Sequence, residues 1–579
     1  MLRLLAILAP LAALSAQPFL PLSEVKPGQR GIGRTVFAGS KIEEFQVEIL
    51  GVLDNVGPRQ SIILGRLSGG PLAHSGVMQG MSGSPVYIGG RLIGAVASAF
   101  QFSKDPIAGI RPIEEMLRDD PPDRPAVRAC VRPDVVDLAA AIPARAEYGS
   151  GATRMIDIAS PLSMSGFTTG AIEQFAPQLR RLGLEPMQGA AGGSSARLPG
   201  GDPKLVQPGS MISVHLMTGD LAMGADGTVT HVQGGKVYAF GHRFLAIGHT
   251  DLPFSRADVI ALLPNLSTSF KISAAREWMG SITADYSTAV SGRLGRRPSM
   301  IPIAISLKGD RERRYEMQVA SDKLLTPFLV QMATYSAIDA TERGNGAMTI
   351  GAKGVIDFNG AASARIDTLY SMEAGAPLMA SLAAALPVGY ALNSGFPELG
   401  VRRVTLELDV RPGKRQFQID NVWTSRSRIR PGESVDIFVS FTGPGGEEIQ
   451  RKTTWRAPAG LQAGPVNFTV SEAMIANLVE HQQSLLQPAG SASQVRKLLD
   501  GLKPNNVATL RVWRAEPVFQ LNGQTLPDPP PSVAMVLKRM PTATTGVPAA
   551  WGARIGEAEF RLTGVTVSGS KSAQVEVKE

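Results

Sequence analysis

The stretch GVMQGMSGSPVYIGGRLIGAV, residues 76–96, places Ser82 on a Gly-Met-Ser-Gly turn, followed by Ser84, Pro85 and two β-branched runs joined by Gly89-Gly90. The runs are short and bounded by turn residues, which predicts two strands. Gly89-Gly90 supplies the positive φ that a tight hairpin needs. Ser82 reads in two ways from this stretch: a nucleophile on a tight turn, or a corner residue between strands. A serine hydroxyl is a weak nucleophile at its free pKa, so it needs a general base within reach and amide donors for the oxyanion. Gly80 and Gly83 permit backbone conformations that aim successive N–H groups into one space. The amides of Gly80 and Ser82 are therefore the candidate oxyanion hole, and the base must come from elsewhere in the chain.

Outward from this turn, residues 24–118 read as short strands, among them GIGRTVFAG, EEFQVEILGVL and SIILGRL, and IRPIEEML starts a short helix. Residues 119–150 are rich in Pro, Asp and Ala and read as a linker. Over 153–187 a strand precedes a helix, with Ile172, Phe175 and Leu179 at helical spacing and Gly183 as its stop. Residues 188–202 form a Gly/Ser loop, and strands resume over 210–320. Two helices and further strands occupy 322–395. In ESVDIFVSF the residues Val435, Ile437, Val439 and Phe441 alternate onto one face, and from 401 the pattern is that of an immunoglobulin-like sandwich, with helical inserts at 471–484 and 491–502. The organisation expected is a signal segment at 1–16, a serine-bearing segment at 17–118, a linker with an α/β insertion at 119–209, a second β segment with a helical extension at 210–395, a β-sandwich at 396–545 and closing strands at 546–579.

With 579 residues, roughly 100–200 per domain, about three to five domains are expected. The 62 glycines and 42 prolines favour turns and short strands over long helices. The net charge of +8 is dispersed, without a Lys/Arg block carrying aromatics, so a nucleic-acid partner is not expected. MLRLLAILAPLAALSAQ has one arginine, an apolar run and small residues before Gln17, which predicts a signal peptide cleaved after Ala16 and an exported chain, periplasmic or extracellular. No later apolar run is expected to remain as a membrane span. PLMASLAAALPVGYAL (377–392) is read as a soluble helix interrupted by Pro387 and Gly389. The single cysteine, Cys130, allows neither an intrachain disulfide nor a cysteine metal site. No metal and no cofactor are expected, because His242 and His249 in their Gly-rich loop lack a carboxylate cluster.

GMSGSP followed by strand, glycine turn and LIGAV is similar to the trypsin-like serine segment, and more specifically resembles the SpoIVB peptidases, the stage IV sporulation serine proteases. That resemblance implies that Ser82 is the nucleophile. The family's histidine follows a Gly-Thr-x-Thr strand. GTVTHVQGGKVYAFGH (227–242) is similar and puts His242 in that place, and MGSITADYSTAVSGRLGRRPSMIPIAISL (279–307) resembles the segment that follows. The order departs from the family, since the serine segment comes first here. It reads as a circular permutation, which a triad defined by geometry tolerates. The family's aspartate is also missing: its place before the serine holds Leu67. Asp251 is the nearest acid after His242 and the preferred candidate, with Asp220 and Asp226 as alternatives. His249 and His74 are the other candidate bases.

The fold expected is mainly β: a permuted trypsin-like double barrel, an α/β insertion and an immunoglobulin-like sandwich. The resemblance implies an exported serine endopeptidase acting on a protein or peptide of the envelope or beyond it. Two other readings stay open at this point: a non-catalytic protease-like scaffold, and a chain that cleaves itself near 119–150. No PDZ domain is recognised, so target capture falls to another part, for which the C-terminal sandwich is the candidate.

Overall fold

A computed structural model describes residues 18–100, 102–120, 147–148, 154–189, 199–309, 311–340, 346–485, 489–521, 524–527, 530–539 and 549–578. The signal segment, Cys130 and most of the 119–150 linker lie outside the described residues. The chain is mainly β, as expected.

Residues 30–112 supply β1 (Arg30–Ala38), β2 (Lys41–Gly57), β3 (Gln60–Ser68), β4 (Pro85–Ile88), β5 (Arg91–Phe100) and β6 (Ile107–Pro112). Pairing runs β4-β1-β2-β3-β6-β5, and β5 pairs back onto β4, so the sheet closes into a six-stranded ring. Alternation fills it: Phe45, Val47 and Ile49 from β2 meet Ile63 and Leu67 from β3 and Val96 and Ile110 from β5 and β6. Leu67 is 1% exposed. The position where an aspartate was sought is thus part of the apolar filling of this ring. Closure leaves no free edge for the ring to protect. Gly89 and Gly90 have φ of 56° and 79°, giving the expected tight hairpin between β4 and β5.

The short strands β7 (Glu147–Tyr148) and β8 (Met155–Asp157) extend the sheet beyond β5. Next come β9 (Ser160–Ser165), a helix over Thr169–Arg181 and β10 (Leu184–Gln188), which pairs parallel with β9. Thr168 caps that helix by accepting from Ala171 N, and Phe175 and Leu179 form its buried stripe.

A second ring follows: β11 (Met211–Gly219), β12 (Ala222–Gln233), β13 (Lys236–Ala239), β14 (Gly248–Leu263), β15 (Phe270–Tyr286) and β16 (Ala289–Leu294). Its order is β12-β13-β16-β15-β14-β11, with β11 pairing back onto β12. Numbered within each ring, both read first-second-third-sixth-fifth-fourth. Ile212, Val214, Val229, Val237, Leu252, Phe254 and Ile282 fill the second ring. This core continues without a break into β17 (Met300–Lys308), β18 (Arg313–Ala320) and two helices, Leu325–Asp339 and Ala376–Asn393. The 376–393 helix is apolar and long enough to cross a membrane, and 61% of it is buried in protein. It runs unbroken through Pro387 and Gly389, correcting the expected interruption. A mid-helix proline costs about 3 kcal/mol. The buried faces of Ala380, Ala384, Val388 and Ala391 offset that cost, with Gly389 letting Pro327 of the neighbouring helix approach.

Beyond residue 412 two sheets share one apolar core. One comprises 448–456, 434–442, 416–424 and 566–568; the other is built around 570–577, 464–471, 507–521 and 549–561. Val435, Ile437, Val439 and Phe441 face Val466, Phe468, Val470 and Val512 across it. Helices at Ala473–Leu485 and Ala492–Asp500 stand where the inserts were expected.

The two rings are joined along a defined seam. Gly39 and Val259 exchange both backbone hydrogen bonds at 2.8 Å, Ser269 Oγ donates to Ser75 O at 2.5 Å, and the Lys271 ammonium donates to Thr35 Oγ1 at 2.7 Å. The candidate residues lie on this seam.

Candidate active site

The serine turn crosses from the third to the fourth strand of the first ring. A short helix, Leu72–Ser75, is followed by Gln79, whose N–H donates to Ser269 O at 2.8 Å and whose carbonyl accepts from Lys271 N at 3.2 Å. Gly80 and Gly83 then take φ of 88° and 92°, conformations that strain any other residue. Every carbonyl of Gly80-Met81-Ser82-Gly83 is occupied. Gly80 O accepts from Thr228 Oγ1 at 2.9 Å, Ser82 O from Thr228 N at 2.8 Å and Gly83 O from Thr230 Oγ1 at 2.7 Å. Met81 O accepts from Ser84 Oγ at 2.6 Å, which assigns Ser84 the task of locking the turn. The threonines of the GTVT strand therefore hold the turn through its carbonyls, and the amides of Gly80 and Ser82 donate to no described residue. Ser82 is 0% exposed, and its hydroxyl has no hydrogen-bond partner among the described residues. A buried hydroxyl without a partner calls for an explanation.

His242 occupies the same crossing in the second ring, between β13 and β14. Phe240 and Gly241 both have positive φ, 70° and 69°. For a phenylalanine that conformation costs on the order of 1–3 kcal/mol and persists only where the surroundings impose it. Here the two loops interlock. A Cβ on Gly83 would stand 1.9 Å from Thr228 O and 2.5 Å from Phe240 N, and one on Gly241 would stand 3.2 Å from Val96 O of β5. His242 is 3% exposed. Its Nδ1 lies 2.6 Å from Arg243 O. A carbonyl only accepts, so Nδ1 carries the hydrogen and the buried Nε2 is left as the basic face. No hydrogen bond joins Ser82 Oγ to His242 in this structure. Hydrogen bonds of this kind are often long before substrate binds.

Asp251 is committed elsewhere. Its carboxylate accepts from Ser281 Oγ at 2.6 Å and Ser299 N at 2.9 Å, with Arg296 at 3.4 Å. The ring nitrogen of His242 that an orienting acid would take faces Arg243 O instead. Asp220 accepts from Glu316 N at 2.7 Å. Asp226 is buried against Ser273 and Ser213, with its carboxyl pushed up to about 6 by burial; burial also brings Lys271, whose aliphatic stem packs against Gly80, down to about 7. His249 pairs with Ala284 across β14 and β15, and His74 is exposed on its short helix.

Asp285 was not singled out from the sequence. It is 0% exposed, and its carboxylate accepts from Phe244 N at 2.8 Å, Leu245 N at 2.7 Å and Ile247 N at 3.3 Å. These bonds tie down the loop that carries His242. Burial pushes the Asp285 carboxyl up to about 6, against the pull of the amides. Its signal was one acid at the end of the otherwise uncharged run GSITADY.

A search of curated proteins and a search of solved structures each returned no match. Residues 15–117 match the family model described as SpoIVB peptidase S55, a match that spans the first ring and Ser82. Over that segment the chain is similar to the SpoIVB peptidase S55 family.

Proposed function

We propose that the chain is an exported serine endopeptidase built on a trypsin-like double barrel in permuted order, with Ser82 as nucleophile and His242 as general base. The family supports a serine peptidase acting on protein. One observation carries the assignment of roles: the turn around Ser82 has all its carbonyls occupied, while the Gly80 and Ser82 amides and the Ser82 hydroxyl are not used. In the reaction Ser82 Oγ attacks the scissile carbonyl and passes its proton to His242 Nε2. The Gly80 and Ser82 amides bind the oxyanion, and His242 returns the proton to the leaving amine. Arg243 O stands where an aspartate usually orients the imidazole. A neutral carbonyl fixes the tautomer but stabilises the imidazolium less than a carboxylate, so turnover is slow.

Export rests on the N-terminal pattern, and the substrate is a protein or peptide of the envelope or outside the cell. The C-terminal pair of sheets, read as an immunoglobulin-like sandwich, is the candidate module for target capture. Full burial of Ser82, without a hydrogen bond to His242, favours a second reading, a non-catalytic scaffold. Labelling by a fluorophosphonate separates the two. The peptidase reading expects labelling of wild type that Ser82→Ala abolishes and His242→Ala cuts at least a hundredfold. Equal labelling of all three proteins, or none of wild type, decides for the scaffold.

A further inference from the structure

The seam between the rings holds a cleft of ≈ 130 Å³. Its walls come from Ile107 of the first ring, from Ile156 and Ile158 in and after β8, and from the β14–β15 hairpin tip with Ser269. Gln79 is also part of the lining. It is 5% exposed, its Oε1 has no hydrogen-bond partner among the described residues, and its backbone is fixed by the bonds to Ser269 and Lys271. A buried amide oxygen left unpaired costs about 1–3 kcal/mol, a cost that a donor brought to it through the cleft would relieve.

We infer that this cleft receives a neutral carboxamide side chain of the substrate, glutamine or asparagine, within two positions of the scissile bond, and that Gln79 selects it. The inference rests on the peptidase reading of Ser82. Three observations support it. Gln79 and Ser82 are three positions apart, a reach of at most about 10 Å, so a side chain one or two positions from the bond under attack can enter. The volume suits a group slightly smaller than benzene, which an engineered cavity of about 150 Å³ holds. The one charged residue in the lining among the described residues, Asp105, has a side chain 61% exposed and 3.8 Å from Arg66. A cation taken deeper would be buried without a partner, whereas a carboxamide can donate to Oε1 and accept from Nε2 of Gln79 in a reciprocal pair.

The test is cleavage of a mixed peptide library by the full chain, read by mass spectrometry, for wild type, Gln79→Met and Gln79→Glu. A cooperative thermal melt of each protein certifies folding. Wild type is expected to favour Gln or Asn over Leu at one position next to the bond by about tenfold or more. Gln79→Met removes that preference and raises cleavage after apolar residues. Gln79→Glu, nearly identical in size, moves the preference toward Lys and Arg and stands in if the methionine variant does not fold. An unaltered profile in a folded variant, or no Gln/Asn enrichment in wild type, overturns the assignment of the cleft alone. Absence of Ser82-dependent fluorophosphonate labelling in wild type overturns the peptidase reading, and the cleft assignment falls with it.

Discussion

The two rings share a strand order, and each carries its candidate residue in the crossing from third to fourth strand, yet they hold that residue in opposite ways. The crossing in the first ring is held through its carbonyls, which Thr228, Thr230 and Ser84 occupy, so amides are left over. The crossing in the second ring is held through its amides, which Asp285 binds, so a carbonyl, Arg243 O, is left to orient the imidazole. Spare amides suit a developing oxyanion, and a spare carbonyl suits an imidazole N–H. One topology thus supports two complementary electrostatic environments, and the loops meet where Gly83 fits against Phe240 and Gly241 against Val96. The buried carboxylate beside this crossing, Asp285, is spent on holding its loop.

The comparison breaks first at the residues themselves. Ser82→Ala and His242→Ala are each expected to lower kcat/KM on a peptide substrate by about 10⁴-fold or more, with melting temperatures near wild type. Retained turnover in either would remove the pairing of the two crossings. Next in size is Gly83→Ala. A Cβ 1.9 Å from Thr228 O at φ of 92° forces the loops apart, so a loss of at least about 3 kcal/mol in denaturant unfolding is expected, together with activity. A mild effect would mean that the loops are not interlocked.

Asp285 sharpens the contrast through pH. Its folded carboxyl titrates near 6, above the roughly 3.9 of an unfolded aspartate, so the folded state binds the proton more tightly. The stability it contributes is full below about pH 4 and is lost as pH rises through about 6. Asp285→Asn should flatten that part of the curve of urea midpoint against pH and lower kcat several-fold by loosening the His242 loop. An unchanged slope would remove Asp285 as the titrating anchor. The smallest effect belongs to Asp251→Ala, about threefold or less in kcat/KM, since its partners are Ser281 and Ser299. A loss of a thousandfold would show that Asp251, not Arg243 O, orients the imidazole.

What was legible in the sequence was local. GMSGSP, the Gly89-Gly90 hairpin and the GTVT–AFGH pair are contiguous, and their glycines mark backbone that only glycine tolerates well. Val435 to Phe441 alternate and stand buried along one strand face. The closures of the rings depend on pairing of β4 with β1 and of β14 with β11, distant in the chain, which no window of sequence carries. Asp285 was missed for the same reason. It lies 43 positions after His242 and meets that loop only once β15 is folded against β14. Asp251 was favoured because it is near in sequence, and nearness along a strand says little about which way a carboxylate points. Pro387 predicts a break from local propensity alone, while burial against the neighbouring helix keeps the helix whole.

The most direct test of the Ser82–His242 pairing is a crystal structure of the full chain after reaction with a peptidyl phosphonate. The expected adduct is on Ser82 Oγ, with the phosphonyl oxygen within about 3 Å of the Gly80 and Ser82 amides and His242 Nε2 within hydrogen-bond reach of the Ser82 oxygen. An adduct on another residue, or a His242 ring more than about 5 Å from Ser82 Oγ once the adduct has formed, would contradict it.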